Sequence, residues 1–237
     1  MATASPSRTE ARLVVVAHGT RNPVGNHVAA RIAELAGERC GVQADVAYVE
    51  LCEPLLGTVL AGTVERSSVV VPLLLTTGYH VRVDLPDAVA SAYGPTSLTA
   101  PLGPDPLLAA AQVERLVQAG ARRGQPVTMV AAGSNDPTAL PELQRAADLL
   151  SGAWGGPVRL ATLGGLGPRP EDVVRPGDAV SPYLLAAGFF ATRCADGARA
   201  AGAEMVADVI GVHERVIDLV AARYRAAELA LELSGSR

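Results

Sequence analysis

Lysine is absent from this chain. All 20 basic residues are arginine, so any anion site must be built from guanidinium forks, which suit carboxylates. Basic runs are absent too, and the net charge is −4, which argues against nucleic acid as a partner. No apolar run is long enough to cross a bilayer; the stretch Val69 to Leu75 is typical. The opening MATASPSRTE carries no apolar signal core. These absences predict a cytoplasmic protein with a frayed N-terminal tail and no membrane partner. Cysteine is scarce. Cys40, Cys52 and Cys194 are odd in number and lack CxxC spacing, which argues against an iron–sulfur or structural zinc site and predicts buried free thiols.

What is present is apolar and periodic. Hydrophobic residues make up 49% of the 237 positions and charged residues 19%, the balance of a globular protein with one large core or two modest ones. Strands are expected at 12–17, 42–51, 68–75 and 96–100. Helices are expected at 24–39, from Pro54 to about Arg66, from an Asp84 N-cap to about Tyr93, and from Asp105 to about Arg123. The pattern then restarts, with strands at 127–131, 158–162, 178–185 and 205–209 and helices at 141–150 and 212–233. Strands alternating with helices predict parallel α/β sheets.

The restart is a repeat. AHGTRNP at 17–23 matches AAGSNDP at 131–137, pairing His18 with Ala132 at an offset of 114. PLLLTTGYH at 72–80 matches PYLLAAGFF at 182–190, pairing His80 with Phe190 at an offset of 110. The expected fold is therefore two tandem parallel-sheet α/β domains related by internal duplication, with a cleft between them. The boundary falls in ARRGQP, dividing residues 1–122 from 123–237. Only the first copy keeps both histidines, which places one working site in the N-terminal half and leaves the second half for shape.

Ligands of parallel sheets bind beyond the carboxyl ends of the strands. His18 follows the first strand, Glu50 ends the second and His80 lies just past the third. Two imidazoles and a carboxylate with open positions suit a first-row divalent ion such as Fe²⁺, Co²⁺ or Ni²⁺. Gly19 and Thr20 either cradle an anion or simply make the turn. Gly78 either admits a ligand closely or supplies a turn with positive φ. Arg21 and Arg82 flank the histidines as candidate carboxylate partners or as solvated charges. His27 and His213 read as surface or capping residues.

These segments, HGTRNP, VELCEP and PLLLTTGYHVRVDLP, resemble the sirohydrochlorin cobalto-/ferrochelatases of the CbiX/SirB type in their two-domain long form. The resemblance covers the N-terminal half well. It implies a class II chelatase, a lyase of tetrapyrrole, cobalamin or sirohaem biosynthesis that inserts Co²⁺ or Fe²⁺ without ATP. The metal is a substrate and no organic cofactor is implied. The family's two cleft histidines match His18 and His80, and its acidic metal ligand maps onto Glu50. Gly19, Thr20, Arg21, Gly78, Tyr79 and Arg82 then become substrate-binding candidates. His18 is favoured as base and His80 as ligand, with the roles open to exchange. The expected partners are the tetrapyrrole and the metal, and the expected state is a monomer or weak homodimer. Two other readings stand beside this one. A metal or tetrapyrrole carrier would bind both without joining them. A histidine phosphatase would need an arginine where Ala17 stands.

Overall fold

The computed structural model describes residues 10–62, 66–78 and 80–234; the expected N-terminal tail lies outside them except for Glu10. In chain order the first half contains β1 (Arg12–Ala17), α1 (Pro23–Cys40), β2 (Ala44–Tyr48), α2 (Leu56–Ala61) and β3 (Ser68–Pro72). A π-helical turn (His80–Asp84) then runs into α3 (Leu85–Ala90), followed by β4 (Thr96–Leu98) and α4 (Pro106–Gln118). The second half contains β5 (Val127–Ala131), α5 (Ala139–Trp154), β6 (Val158–Thr162), α6 (Pro170–Val173), β7 (Ala179–Tyr183), α7 (Phe189–Ala200), β8 (Met205–Val206) and α8 (Glu214–Ser234).

Local chemistry sets several of these boundaries. Asn22 caps α1 by accepting from the Val24 N–H, and Pro23 fills the first turn, where its missing N–H costs nothing. Gly41 ends that helix in the left-handed region. Asp105 caps α4 in the same way, through the Leu107 N–H at 2.9 Å. Asp84 does not begin a helix as expected. It is itself helical (φ −66°, ψ −41°), because the π-helical turn enters α3 without a break. Helix α2 is shorter than expected and Arg66 lies beyond it; residues 63–65 fall outside the described set. Helix α7 begins at Phe189, inside the AAGFFATR segment, where no helix was expected, and α6 was not expected either.

Each half forms a four-stranded all-parallel sheet, ordered β2-β1-β3-β4 and β6-β5-β7-β8. Registers reproduce the repeat. Ala17 pairs with Tyr48 where Ala131 pairs with Thr162, and Val16 pairs with Pro72 where Val130 pairs with Pro182. Central strands are buried on both faces. Val14 and Val16 pack towards Leu56, Leu60 and Leu85 on the outer side. Leu13 and Val15 face the inner core with Ile32 and Ala36 of α1. Pattern alone therefore shows a continuous apolar run rather than alternation.

The last helix of each half covers the sheet of the other. Helix α8 packs on α1, β3 and β4, while α4 packs on α5 and β7. The Tyr224 hydroxyl of α8 donates to the Ala11 carbonyl at the start of β1 (2.5 Å), and Arg39 of α1 pairs with Glu214 and Asp218 of α8. Reciprocally, the buried Gln112 amide of α4 donates to the Ser181 hydroxyl of β7 at 2.9 Å. One apolar cluster consequently runs through both halves, from Leu13 and Ile32 to Met129 and Trp154.

His213 lies just ahead of α8 and is 8% exposed rather than on the surface as expected. Its capping role holds, since Nδ1 accepts from the Arg215 N–H. Nε2 faces Glu114 of α4 at 3.3 Å. Burial lowers the His213 pKa below its ordinary value, against the opposing pull of Glu114. The folded state therefore takes up this proton at lower pH than the unfolded chain does. The associated stability is complete above about pH 6.5 and is lost as pH falls through the folded pKa.

A glycine follows each first strand by two residues. Gly19 has φ +94° and Gly133 φ +85°, and a Cβ on either would meet a carbonyl oxygen, that of Glu50 at 1.9 Å or Gly164 at 2.0 Å. Gly19→Ala and Gly133→Ala should each cost on the order of 1–3 kcal/mol, read from denaturant midpoints. Melting curves from pH 7.5 to 5.5 should show a decline for the wild type that is smaller in His213→Gln. Equal slopes in the two proteins would remove His213 from that pH dependence.

Candidate active site

In both sheets the strand order reverses between the first and third strands, so the crevice of the topological switch point opens beyond β1 and β3, and beyond β5 and β7. The two crevices face each other. A cavity of about 460 Å³ lies between the halves, walled by Leu73, Leu74 and Leu75 on one side and Leu184, Leu185 and Phe190 on the other. His18 lines it, and also lines a smaller pocket of about 190 Å³ against α1 with Thr20 and Asn26. An apolar cleft with few polar groups is the usual form of a small-molecule site.

The turn after β1 aims His18. Glu50 donates its backbone N–H to the His18 carbonyl (3.1 Å), which docks the end of β2 against this turn. The close approach of Gly19 to the Glu50 carbonyl makes glycine necessary there. The two side chains then converge, His18 Nε2 lying 3.4 Å from Glu50 Oε1, with the side chains 44% and 50% exposed. His18 Nδ1 is 3.1 Å from the Gly19 carbonyl. The Gly19 carbonyl suits a proton on Nδ1, and in that tautomer the Nε2 lone pair is the one available to an ion beside Glu50. Leu51, next to Glu50, is the one non-glycine residue with positive φ among the described residues (+67°).

The other expected residues are placed as follows. Thr20 belongs to the turn: its N–H donates to Asn26 Oδ1 and its hydroxyl accepts from the Asn22 N–H. Its backbone N–H is thus already engaged. Arg21 is exposed beside it. Gly78 lines the cavity, but its backbone is not left-handed, and an added Cβ would meet nothing within 4 Å. The positive-φ reading of Gly78 is therefore set aside. His80 is the first residue of the π-helical turn. Its side chain, and all of Tyr79, lie outside the described residues. Among the described residues no group of three or more His, Cys, Asp or Glu side chains is close enough to hold an ion; the pair brought together is His18 and Glu50.

Arg82 reaches across the cleft and pairs with Asp136 of the second half. Hydrogen bonds from Thr138 lower the Asp136 pKa, and Arg82 adds to the effect, so this carboxylate stays charged. Close by, the Thr77 N–H donates to Glu142 of α5 at 2.5 Å. The loop after β3 is thereby tied to the second half, a connection that sequence patterning does not reveal.

The repeat can now be read at three positions. Leu163 donates to the Ala131 carbonyl as Val49 does to that of Ala17, and Gly133 approaches Gly164 as Gly19 approaches Glu50. Glu50 thus corresponds to Gly164 at the same offset of 114. The second copy has Ala132, Gly164 and Phe190 where the first has His18, Glu50 and His80. Extending the 17–23 match one strand further would have exposed the third replacement.

A family model, CbiX, matches residues 12–119. The sirohydrochlorin cobaltochelatase of Methanopyrus kandleri is 28% identical over 136 residues, covering 45% of this chain and 95% of the relative. The structure of SirB from Bacillus subtilis with Fe³⁺ superposes with a TM-score of 0.78 at 25% identity, covering 94% of this chain and 98% of that one. SirB from Bacillus subtilis subspecies spizizenii, solved in complex with cobalt, gives 0.77 at 24% identity, covering 94% and 97%, a likeness of fold. Residues 12–119, a little under half of the chain, are thus similar to the CbiX family, and both sheets together have the fold of SirB.

Proposed function

We propose that this protein is a class II chelatase that inserts a divalent metal, Co²⁺ or Fe²⁺, into sirohydrochlorin without ATP. The observation that carries the reading is the His18–Glu50 pair at the mouth of the cleft between the sheets. Two ligand atoms about 2.1 Å from one ion at a tetrahedral angle stand about 3.4 Å apart, which is the separation found between Nε2 and Oε1. The separation of the pair is compatible with both atoms reaching one ion. Relatives bearing the names sirohydrochlorin cobaltochelatase and SirB support the substrate assignment.

Insertion exchanges two ring N–H protons for one dication, so the protein must present the metal, accept protons and then release both. Two protein donors leave most of the coordination sphere open, and the ring nitrogens can replace them stepwise. Half-exposed side chains let the ion arrive from solvent and the protons depart. Once the ring nitrogens have drawn the ion away from His18, the freed Nε2 lone pair can accept a proton lost by the ring, with Glu50 beside it to stabilise the imidazolium. His80, at the head of the π-helical turn, is assigned as the second imidazole on the basis of the family resemblance. Residues 1–122 supply these groups, and residues 123–237 supply the facing wall. Arg82 is held by Asp136 across the cleft; a ring carboxylate would have to compete for it. Gly19 and Thr20 line the smaller pocket beside His18, and the exposed Arg21 follows them in the chain.

An absorbance time course with sirohydrochlorin and Co²⁺, Fe²⁺ or Ni²⁺ tests the reading. Conversion to the metallated spectrum at a rate set by enzyme concentration is expected; binding of both substrates without conversion would make the protein a carrier. His18→Ala should lower turnover about 100-fold or more, the usual contribution of a positioned acid–base group. Glu50→Gln should raise the KM for Co²⁺ on the order of tenfold, consistent with loss of one charged contact. Undiminished turnover in His80→Ala would remove that residue from the mechanism.

A further inference from the structure

The chain contains two phenylalanines, and neither is in a core. Phe189 is 70% exposed and Phe190 43% exposed. They are adjacent in the first turn of α7 and meet edge to face, with ring centroids 5.5 Å apart. Phe190 lines the cavity between the halves, on the wall opposite the loops that follow β1 and β3. It also occupies the position that corresponds to His80. One turn along α7, the guanidinium of Arg193 lies 5.6 Å from the Phe189 ring centroid, and among the described residues no carboxylate is ion-paired to it.

Burial of a phenylalanine is a main source of stability, and exposure forgoes it. Two exposed rings in contact, one of them lining the cleft, call for a ligand that covers them. We infer that Phe190, backed by Phe189, is the stacking platform for the flat face of the tetrapyrrole, and that Arg193, held over Phe189, pairs with a peripheral carboxylate of that ring. The inference rests on the chelatase reading and deepens it. A conjugated ring stacks on an aromatic face through dispersion and quadrupole terms. An arginine over an aromatic face keeps its fork directed outward for a carboxylate. The ring then lies between Phe190 on one side and the His18–Glu50 pair on the other. Pinning one face leaves the opposite face as the route of the metal. On this account the second half is a working wall of the site: the imidazole of the first copy has given way to a stacking ring in the second.

The test measures binding of metal-free sirohydrochlorin by fluorescence, together with KM for ring and for Co²⁺, in Phe190→Leu, Phe190→Trp and Arg193→Gln. Phe190→Leu keeps apolar bulk and loses the π face. It should raise the dissociation constant and the KM for the ring about tenfold, leave the KM for Co²⁺ unchanged and leave the melting midpoint at the wild-type value. Phe190→Trp should restore ring binding, and Arg193→Gln should weaken it with a reduced dependence on salt. Wild-type ring affinity in Phe190→Leu overturns the inference while leaving the chelatase reading intact. An equal rise in the KM for Co²⁺ also overturns it, because the residue would then be shaping the metal site. A wild-type chain that binds no ring overturns both.

Discussion

Reciprocal exchange of the final helices is the constraint on which the rest depends. Each sheet has an inner apolar face, and the helix that covers part of it comes from the other half: α8 over β3 and β4, α4 over β7. Neither sheet keeps its full cover without the partner. Buried polar contacts fix the exchange, with Tyr224 donating to Ala11 and Gln112 to Ser181. A buried hydrogen bond has few competing arrangements, because its loss leaves an unsatisfied group in a dry interior. The shared core therefore holds the two switch-point crevices mouth to mouth, and the cleft exists because of it.

Within that frame the duplication has diverged at the mouth and been kept in the scaffold. The registers, the glycine after the first strand and its approach to the carbonyl after the second strand recur in both copies. Those features set backbone position and tolerate little change. Side chains that point into the cleft carry no such load. The first copy has histidine, glutamate and histidine where the second has alanine, glycine and phenylalanine. Both walls keep their leucines, and the copies differ in having His18 on one wall and Phe190 on the other.

Much of this was legible in the sequence because the signals are local. Continuous Val/Leu runs mark buried parallel strands, Asn22-Pro23 and Asp105-Pro106 mark helix starts, and a strand followed by a histidine marks a rim residue. The misplaced Asp84 cap shows the limit: a helix start can be displaced by a preceding turn whose own sequence gives no helical warning. Helix α7 was missed because AAGFFATR reads as the end of a strand, and its helical periodicity is weak where alanine and arginine alternate. His213 looked like a surface residue because burial by α4 from the other half is not a local property.

The sequence by itself determined the two parallel sheets, the repeat with its offsets, and the placement of His18 just after the first strand, since strand burial and chain order follow from residue pattern over a few positions; Glu50, expected to end the second strand, lies two residues beyond β2. Only the tertiary structure decided which helix covers which sheet, that Nε2 of His18 meets Oε1 of Glu50, that Arg82 is held by Asp136, and that Phe190 lines the cleft. Those pairings join residues far apart in the chain, and their partners are chosen by packing and hydrogen-bond satisfaction in three dimensions, which no local periodicity encodes.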